Sequence, residues 1–304
     1  PSRGVIEMVS MKDNTTRFFY QAFGLNIRSE IEFQGVPRLA PGPFEVDVFH
    51  VQRKAPDTQS GCRGASQDFL FWDPNGGLVR AVKGEKLEFA YPEGGLTEST
   101  ILFVQASGMG ALLQQRGYLT LHAAAIRSSR GKAVLLAGRC GIGKSSLSTL
   151  LSRRGYKVLT DDLSAVYKKG DEWWVQPGFP RIKLRPDVAQ AVGATGLTRI
   201  HPQVDKYFYH ESEGFLEEPL PVELMVRLDG PPGPPRELNL PEKARALTEV
   251  TYRREFLWDI DPQNMAKHFQ TCAQIAERWP MHLFGRDAAG PTLEETAHAV
   301  ERLL

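Results

Sequence analysis

The sequence predicts an α/β protein in which a larger α/β domain follows a small β-rich domain. Three observations support this. The chain has 304 residues, more than one domain usually holds. Its first hundred residues carry short alternating apolar runs separated by turn residues. After them, a strand, a glycine-rich loop, a helix and a second strand follow in unbroken order from Lys132 to Asp162. The expected division is residues 1–100 for the β-rich domain and 101–304 for the α/β domain.

The residues before Met8 or Met11 read as a remnant ahead of the native start, since they lack the apolar core of a signal peptide. From Phe18 to about Tyr91 the pattern is that of a small antiparallel sheet. "FEVDVFHV" alternates Phe44, Val46 and Val48 against Glu45 and Asp47, and "DPNGG" and "KGEK" punctuate "FLFW", "LVRAV" and "LEFAY". A helix is expected from about Thr97 to Arg116, with Gly117 as its stop and Gly108 and Gly110 against it. "YLTLHAAAI" and "KAVLLAG" then read as two apolar strands joined by "RSSRG".

The helix "KSSLSTLLSRRG" puts Leu147, Leu150 and Leu151 on one face and ends at Gly155, and "YKVLT" follows as a strand. "QPGFPRIKLRPD" reads as a loop, Thr198 to Glu218 as a polar stretch, "VELMVRL" as a strand and "GPPGPP" as an exposed hairpin loop. A helix beginning at Pro262 should have Asp261 as its N-cap and Met265, Phe269, Cys272, Ile275 and Trp279 facing inward. A last helix opens at the capping box from Thr292 to Glu295.

Composition excludes several classes. The 37 Lys and Arg against 36 Asp and Glu leave a net charge of +1, no general field for a nucleic acid or an acidic membrane. No apolar run approaches the ~20 residues that cross a bilayer. Cys62, Cys140 and Cys272 are isolated, which argues against a disulfide framework or cysteine zinc site and fits a cytoplasmic protein. A homo-oligomer is left open.

Gly138, Gly143, Lys144 and Ser145 match G-x-x-x-x-G-K-[ST]. In such a loop, Gly138, Arg139, Cys140, Gly141, Ile142, Gly143, Lys144, Ser145 and Ser146 would cradle phosphates at a helix N-terminus. Lys144 would reach the β- and γ-phosphates, and Ser145 would ligate Mg²⁺. The strand before the loop and the amphipathic helix after it set the match apart from a chance glycine run. One helix later, Asp161 and Asp162 close a strand at the sheet edge where ligands of α/β folds collect. One carboxylate could serve Mg²⁺ and the other accept a proton; on its own the pair could equally be a solvated turn.

With "LHAAAI" before the loop, "GRCGIGKSSLSTLLSRRGYKVLTDD" and "PGFPRIKLRPD", the chain from about Gly117 to Leu304 resembles the P-loop serine kinases related to HPr kinase/phosphorylase. The front segment "FYQAFGLNIRSEIEF" further resembles a subgroup encoded with lasso-peptide biosynthesis, which phosphorylates a serine of the precursor peptide. This resemblance implies an HPr kinase C-terminal-like fold, ATP and Mg²⁺ as cofactors, Asp161 as base, Asp162 as a second acidic partner serving the metal, and His122 as an active-site histidine. Arg181, Lys183, Arg185 and Lys206 become possible contacts to phosphates or an anionic peptide end; exposed cations on loop and strand are an equal reading. Cys140 stands where relatives commonly have serine, and the glycine-rich signature with its glutamate is absent, so the resemblance does not extend to HPr as substrate or to phosphorylase activity.

The expected reaction is γ-phosphoryl transfer from ATP to a serine hydroxyl of a peptide, by positioning and charge neutralisation, with no unusual pKa required of Asp161. The front domain would hold the peptide by adding a strand to an exposed edge. A regulatory kinase acting on a folded protein and a nucleotide-binding switch without transfer activity are the alternatives.

Overall fold

The computed structural model describes residues 16–56, 59–74, 77–195, 197–201, 204–209, 214–230, 233–254, 262–285 and 291–304. The expected native start at Met8 or Met11, the tip of the "DPNGG" turn, the middle of the proline cluster and the Asp261 cap lie outside these residues.

The front of the chain forms strands β1 (Phe18–Ala22), β2 (Leu25–Ser29), β3 (Val46–His50), β4 (Gly61–Ala65), β5 (Asp68–Asp73), β6 (Gly77–Val82) and β7 (Lys86–Ala90). They make one seven-stranded sheet in the order β1-β2-β3-β7-β6-β5-β4. The sheet is mixed rather than antiparallel, because β3 runs parallel to both of its neighbours. Val46 and Val48 are buried as the alternation requires, but Phe44 lies outside β3 and is exposed, with the Arg28 guanidinium 3.9 Å from its ring centre.

The expected helix is present as α1 (Glu98–Phe103), a π-helical turn (Val104–Gly108) and α2 (Met109–Gln115), capped by Thr97. Its two glycines serve close approach. A Cβ at Gly108 would come within 3.0 Å of Val79, and one at Gly110 within 2.8 Å of Tyr252. Val104, Met109, Leu112 and Leu113 join the core of the seven-stranded sheet, and so do Leu163, Ala165, Phe179 and Tyr252 from far along the chain. This core crosses residues 100 and 101.

The second sheet has nine strands. β8 (Leu119–Leu121), β9 (Ala123–Arg127), β10 (Ala133–Ala137), β11 (Val158–Thr160), β12 (Ser164–Lys169), β13 (Glu172–Val175), β17 (Leu220–Arg227), β18 (Arg236–Glu237) and β19 (Met281–Leu283) compose it. The remaining strands, β14 (Ile182–Leu184), β15 (Thr198–His201) and β16 (Val204–Tyr209), form a separate sheet in the order β14-β15 flanking β16. "RIKL" is therefore a strand rather than loop, followed by the short helix α4 (Pro186–Ala191), and the polar stretch after Thr198 supplies its partner β16 and the edge strand β15 beyond it.

Alternation along β9 and β10 sorts the core of the large sheet. Ala123, Ala125, Leu135 and Ala137 face one way, against α5 (Leu240–Glu249) and α6 (Pro262–Arg278). Ala124, Ile126, Val134 and Leu136 face the other way, against Leu147 and Leu151 of α3 (Lys144–Arg153) and Ala297 and Val300 of α7 (Leu293–Glu301). Both faces are covered, which is why these strands read as continuous apolar runs. On α6 the inward stripe is His268, Cys272, Ile275 and Ala276, while Phe269 is 43% exposed. One residue of helical phase separates His268 from Phe269, and the packing selects the former. Among the described residues, no helix is long and apolar enough to cross a membrane.

Candidate functional site

β10 is fully buried and ends at Ala137, from which the chain enters the glycine-rich loop. Gly138, Gly141 and Gly143 all have positive φ (152°, 83° and 102°), a region closed to most side chains. They carry the backbone around a tight loop into the N-terminus of α3, whose first residue is Lys144. Lys144 is 6% exposed, and its Nζ donates to the carbonyls of Gly138 (2.8 Å) and Arg139 (3.1 Å). Burial lowers its pKa, opposed by the charges of Asp162 and Asp161. Cys140, in the loop, is exposed.

β11 ends at Thr160 and delivers the carboxylate pair. Asp161 accepts a hydrogen bond from Ser145 Oγ (3.0 Å to Oδ1) and another from the backbone N–H of Lys183 (3.0 Å to Oδ2). Asp162 is in the left-handed region (φ 72°), a conformation Asp tolerates better than most residues, and so turns away from its neighbour. Its Oδ2 meets Lys183 Nζ at 2.7 Å and its Oδ1 meets His122 Nδ1 at 3.2 Å.

These surroundings divide the pair electrostatically. Burial first, and the adjacent Asp162 charge second, push Asp161 up to about 6, against the hydrogen bond from the Lys183 N–H. The mechanism requires no such shift; it follows from burial beside a second carboxylate, with the Lys183 charge only partly offsetting it. Burial also pushes Asp162 upward, but Lys183 and His122 outweigh it and hold that carboxyl well below the ordinary range. Ser145 contacts Asp161, whereas Asp162 contacts Lys183 and the His122 ring.

His122 occupies a break that the sequence does not reveal. "YLTLHAAAI" is not one strand: β8 pairs with β12, whereas β9 pairs with β10 and β11, and His122 is the bend between them. Its N–H donates to Val250 O (2.7 Å), and Tyr252 stands beside its ring. Burial lowers the pKa of the imidazole, with the Asp162 carboxylate opposing.

Of the expected cations, Lys183 and Arg181 reach the site and two others do not. Arg185 pairs with Asp187 at the surface, its side chain 66% exposed. No hydrogen bond or ion pair joins Lys206, in β16, to the carboxylates among the described residues. Two further side chains belong to the neighbourhood. Asp229 lies just beyond β17, the parallel neighbour of β10, is buried and ion-paired with Arg227, and adds to the negative field on Lys144. Its signal is an apolar strand ending in an acid, "VELMVRLD". Gln105, in the π-helical turn, is buried against Arg181, and nothing in the local sequence marks it.

Among the described residues, no group of three or more His, Cys, Asp or Glu is arranged to hold a metal ion. A hydroxyl beside a carboxylate is nonetheless a hard-oxygen donor set, and Mg²⁺ at phosphate sites uses one or two such carboxylates with the substrate's own oxygens.

No family model and no curated protein matches the chain. A solved structure of the HPr(Ser) kinase/phosphatase from Coxiella burnetii aligns with 60% of this chain and 96% of its own, at 18% identity and a TM-score of 0.32. A likeness that distant assigns no activity.

Proposed function

We propose that the chain is an ATP- and Mg²⁺-dependent kinase that transfers the γ-phosphoryl group to a serine hydroxyl of a peptide. The observation that carries this reading is the contact between the first turn of the loop's helix and the carboxylate pair, Ser145 Oγ to Asp161 at 3.0 Å. It unites a phosphate-type loop with a desolvated carboxylate, the two parts phosphoryl transfer needs. Ser145 with one of the carboxylates would hold Mg²⁺, which supplies charge neutralisation at the transferred group when bound.

The loop amides and Lys144 would orient the triphosphate. Asp161, at about 6, is poised to accept a proton near neutral pH, and would orient the acceptor hydroxyl and take its proton as transfer proceeds. Asp162 would act through His122 and Lys183, fixing both beside the acceptor. The Ser145 bond favours a second reading, in which Asp161 stands with Ser145 beside the metal and Asp162 meets the acceptor.

A lasso-peptide precursor is the substrate we favour, on the resemblance of the front segment. Cys62, Cys140 and Cys272 form no disulfide with one another, which suits a reducing cytosol. The test is mass spectrometry of serine peptides, precursor sequences first, after incubation with protein, ATP and Mg²⁺. One added phosphoryl group on serine is expected, lost in Lys144→Ala. Free phosphate as the only product would favour the nucleotide switch, and modification of folded proteins but no peptide would favour the regulatory kinase.

A further inference from the structure

Behind the candidate site lies a second, larger cavity, and a wall one residue thick divides the two. The site's own cavity, about 30 Å³, is lined by Phe23 and Phe179 together with Asp161, Asp162 and Lys183. The other, about 820 Å³, is lined by Ala22 and Gly24 on either side of Phe23, and by Gly178 and Pro180 on either side of Phe179. Each segment thus turns neighbouring residues into different cavities. The partition is the edge-on pair of Phe23 and Phe179, ring centres 5.4 Å apart, and the bond from Phe23 N–H to Pro177 O at 2.7 Å pins the two segments together.

The larger cavity has an apolar wall with few donors. Pro37, Pro177, Pro180 and Pro219 line it without an N–H, and Val36, Leu39 and Phe215 add apolar surface. Leu39 is 45% exposed at the rim. Glu217 is the one charged side chain among the described lining residues, and Gln21 and Gln176 are neutral. An acidic group entering would meet Glu217 with no cation beside it, at the cost of burying an unpaired charge. The volume lies within the ~300–1,000 Å³ of pockets that enclose most of a ligand.

Main-chain groups reach the same space. β1 is the terminal strand of the front sheet. On its outer edge the Phe19 carbonyl accepts from Leu39 N–H at 2.8 Å, and Gln21, two residues further along the same edge, lines the cavity. An extended chain lying there would meet the backbone of Gln21 as a strand meets a sheet edge.

We propose that this cavity is the docking site for a short apolar stretch of the acceptor peptide, extended along the end of β1 and a few residues from the serine to be phosphorylated. This deepens the kinase reading and rests on it. The serine stands at Asp161 and Asp162 while the chain passes Pro180 into the larger cavity. At about 3.3–3.6 Å per extended residue, two or three residues cross so thin a wall. Continuity with the site, rather than apolarity alone, selects a segment of the substrate over a second copy of this chain. Apolar side chains displace water from Val36, Leu39 and Phe215, and Glu217 disfavours acidic ones.

The test uses the full chain and synthetic peptides that share one serine and its immediate neighbours. Two residues before or after the serine each carries a block of Leu-Val-Leu, Ser-Gly-Ser or Glu-Gly-Glu. With Mg²⁺-ATP, the Leu-Val-Leu peptide in one of the two placements should have a KM about tenfold or more below that of Ser-Gly-Ser, and Glu-Gly-Glu should do no better than Ser-Gly-Ser. The favoured placement gives the direction of the chain. Gln21→Trp, at an exposed position of β1, fills the cavity and should bring the apolar preference to within about twofold while leaving the KM for ATP unchanged. Leu39→Asp, at the exposed rim, should weaken the preference several-fold and covers the case in which Gln21→Trp does not fold. Glu217→Lys should keep the apolar preference and lower the KM of the acidic peptide.

Equal KM values for the three blocks in the native protein, or a preference unchanged in both Gln21→Trp and Leu39→Asp, would overturn the docking site. Self-association in sedimentation that Leu39→Asp disrupts, with no preference among the peptides, would give the cavity to a second copy and overturn it too. If no peptide is phosphorylated, the kinase reading fails by itself, and calorimetric titration of the same peptides decides the cavity separately. Preferential binding of Leu-Val-Leu that Gln21→Trp abolishes supports the docking site even without transfer, and equal binding of the three rejects it.

Discussion

Replacing Asp161 by Asn should produce two opposite effects, and their combination tests the assignment. The ionised Asp161 is disfavoured by burial and by Asp162, which together push its pKa from 3.8 to about 6. That rise of roughly two units corresponds to about 3 kcal/mol of native-state penalty once the group is ionised in both states. The direction follows from proton counts. Between about pH 4 and 6 the unfolded chain has released the proton and the native protein still holds it, so native stability falls as pH rises. Above about 6 the full penalty applies; below the unfolded value there is none.

Asn carries no charge but keeps an oxygen for Ser145 and the Lys183 N–H. Allowing about 1 kcal/mol for weakened hydrogen bonds, metal-free Asp161→Asn should be more stable than native by about 1–3 kcal/mol at pH 8 and by nothing at pH 4. The same variant should lose a factor on the order of 10²–10⁴ in phosphoryl transfer if Asp161 is the base. Urea unfolding without Mg²⁺ at the two pH values, and single-turnover transfer across a Mg²⁺ titration, are the assays. Equal or lower stability at pH 8 would refute the electrostatic account. A transfer defect rescued by added Mg²⁺ would move Asp161 to the metal's side and leave the proton to Asp162.

Two further outcomes are expected. Cys140 is exposed in the glycine-rich loop, whereas burial pushes the Cys272 thiol up to about 12. An alkylating agent should therefore label Cys140 well ahead of Cys272 in the native protein, and Mg²⁺-ATP should slow labelling of Cys140 alone, as peptide mapping can show. Gly178→Ala would put its Cβ 2.2 Å from Thr160 Oγ1 and 2.9 Å from Thr160 Cβ, so it should cost about 1–3 kcal/mol and disturb the residue preceding the carboxylates. Native stability and native transfer rates in that variant would show that the contact relaxes freely.

The glycine-rich turn into α3 was legible because its glycines, lysine and serine lie within a few consecutive residues, and the helix Thr97–Arg116 because its cap and stop are local. Local patterns could not reveal what depends on distant partners. The parallel pairing of β3 comes from strands far apart in sequence. The strand break at His122 follows from two sets of neighbours competing for one apolar run. Lys183 was visible as a cation, but only its pairing with β16 explains why it reaches both aspartates while Arg185 reaches neither. Gln105 was invisible because a single glutamine acquires meaning only from the π-turn that buries it.

The front sheet is bonded directly to the segment that leads into Lys183. Phe23 N–H donates to Pro177 O at 2.7 Å, Arg181 donates to Gln34 O, and Phe179 packs edge-on against both Phe23 and Phe33. These contacts join the front sheet to the carboxylate-bearing part of the chain. Cutting the chain after residue 100 would strand Phe179 and Arg181 without their packing and hydrogen-bond partners. Order should be lost first at the carboxylate pair, which rests on these distant partners, and only later at the glycine-rich loop, which is built from consecutive residues.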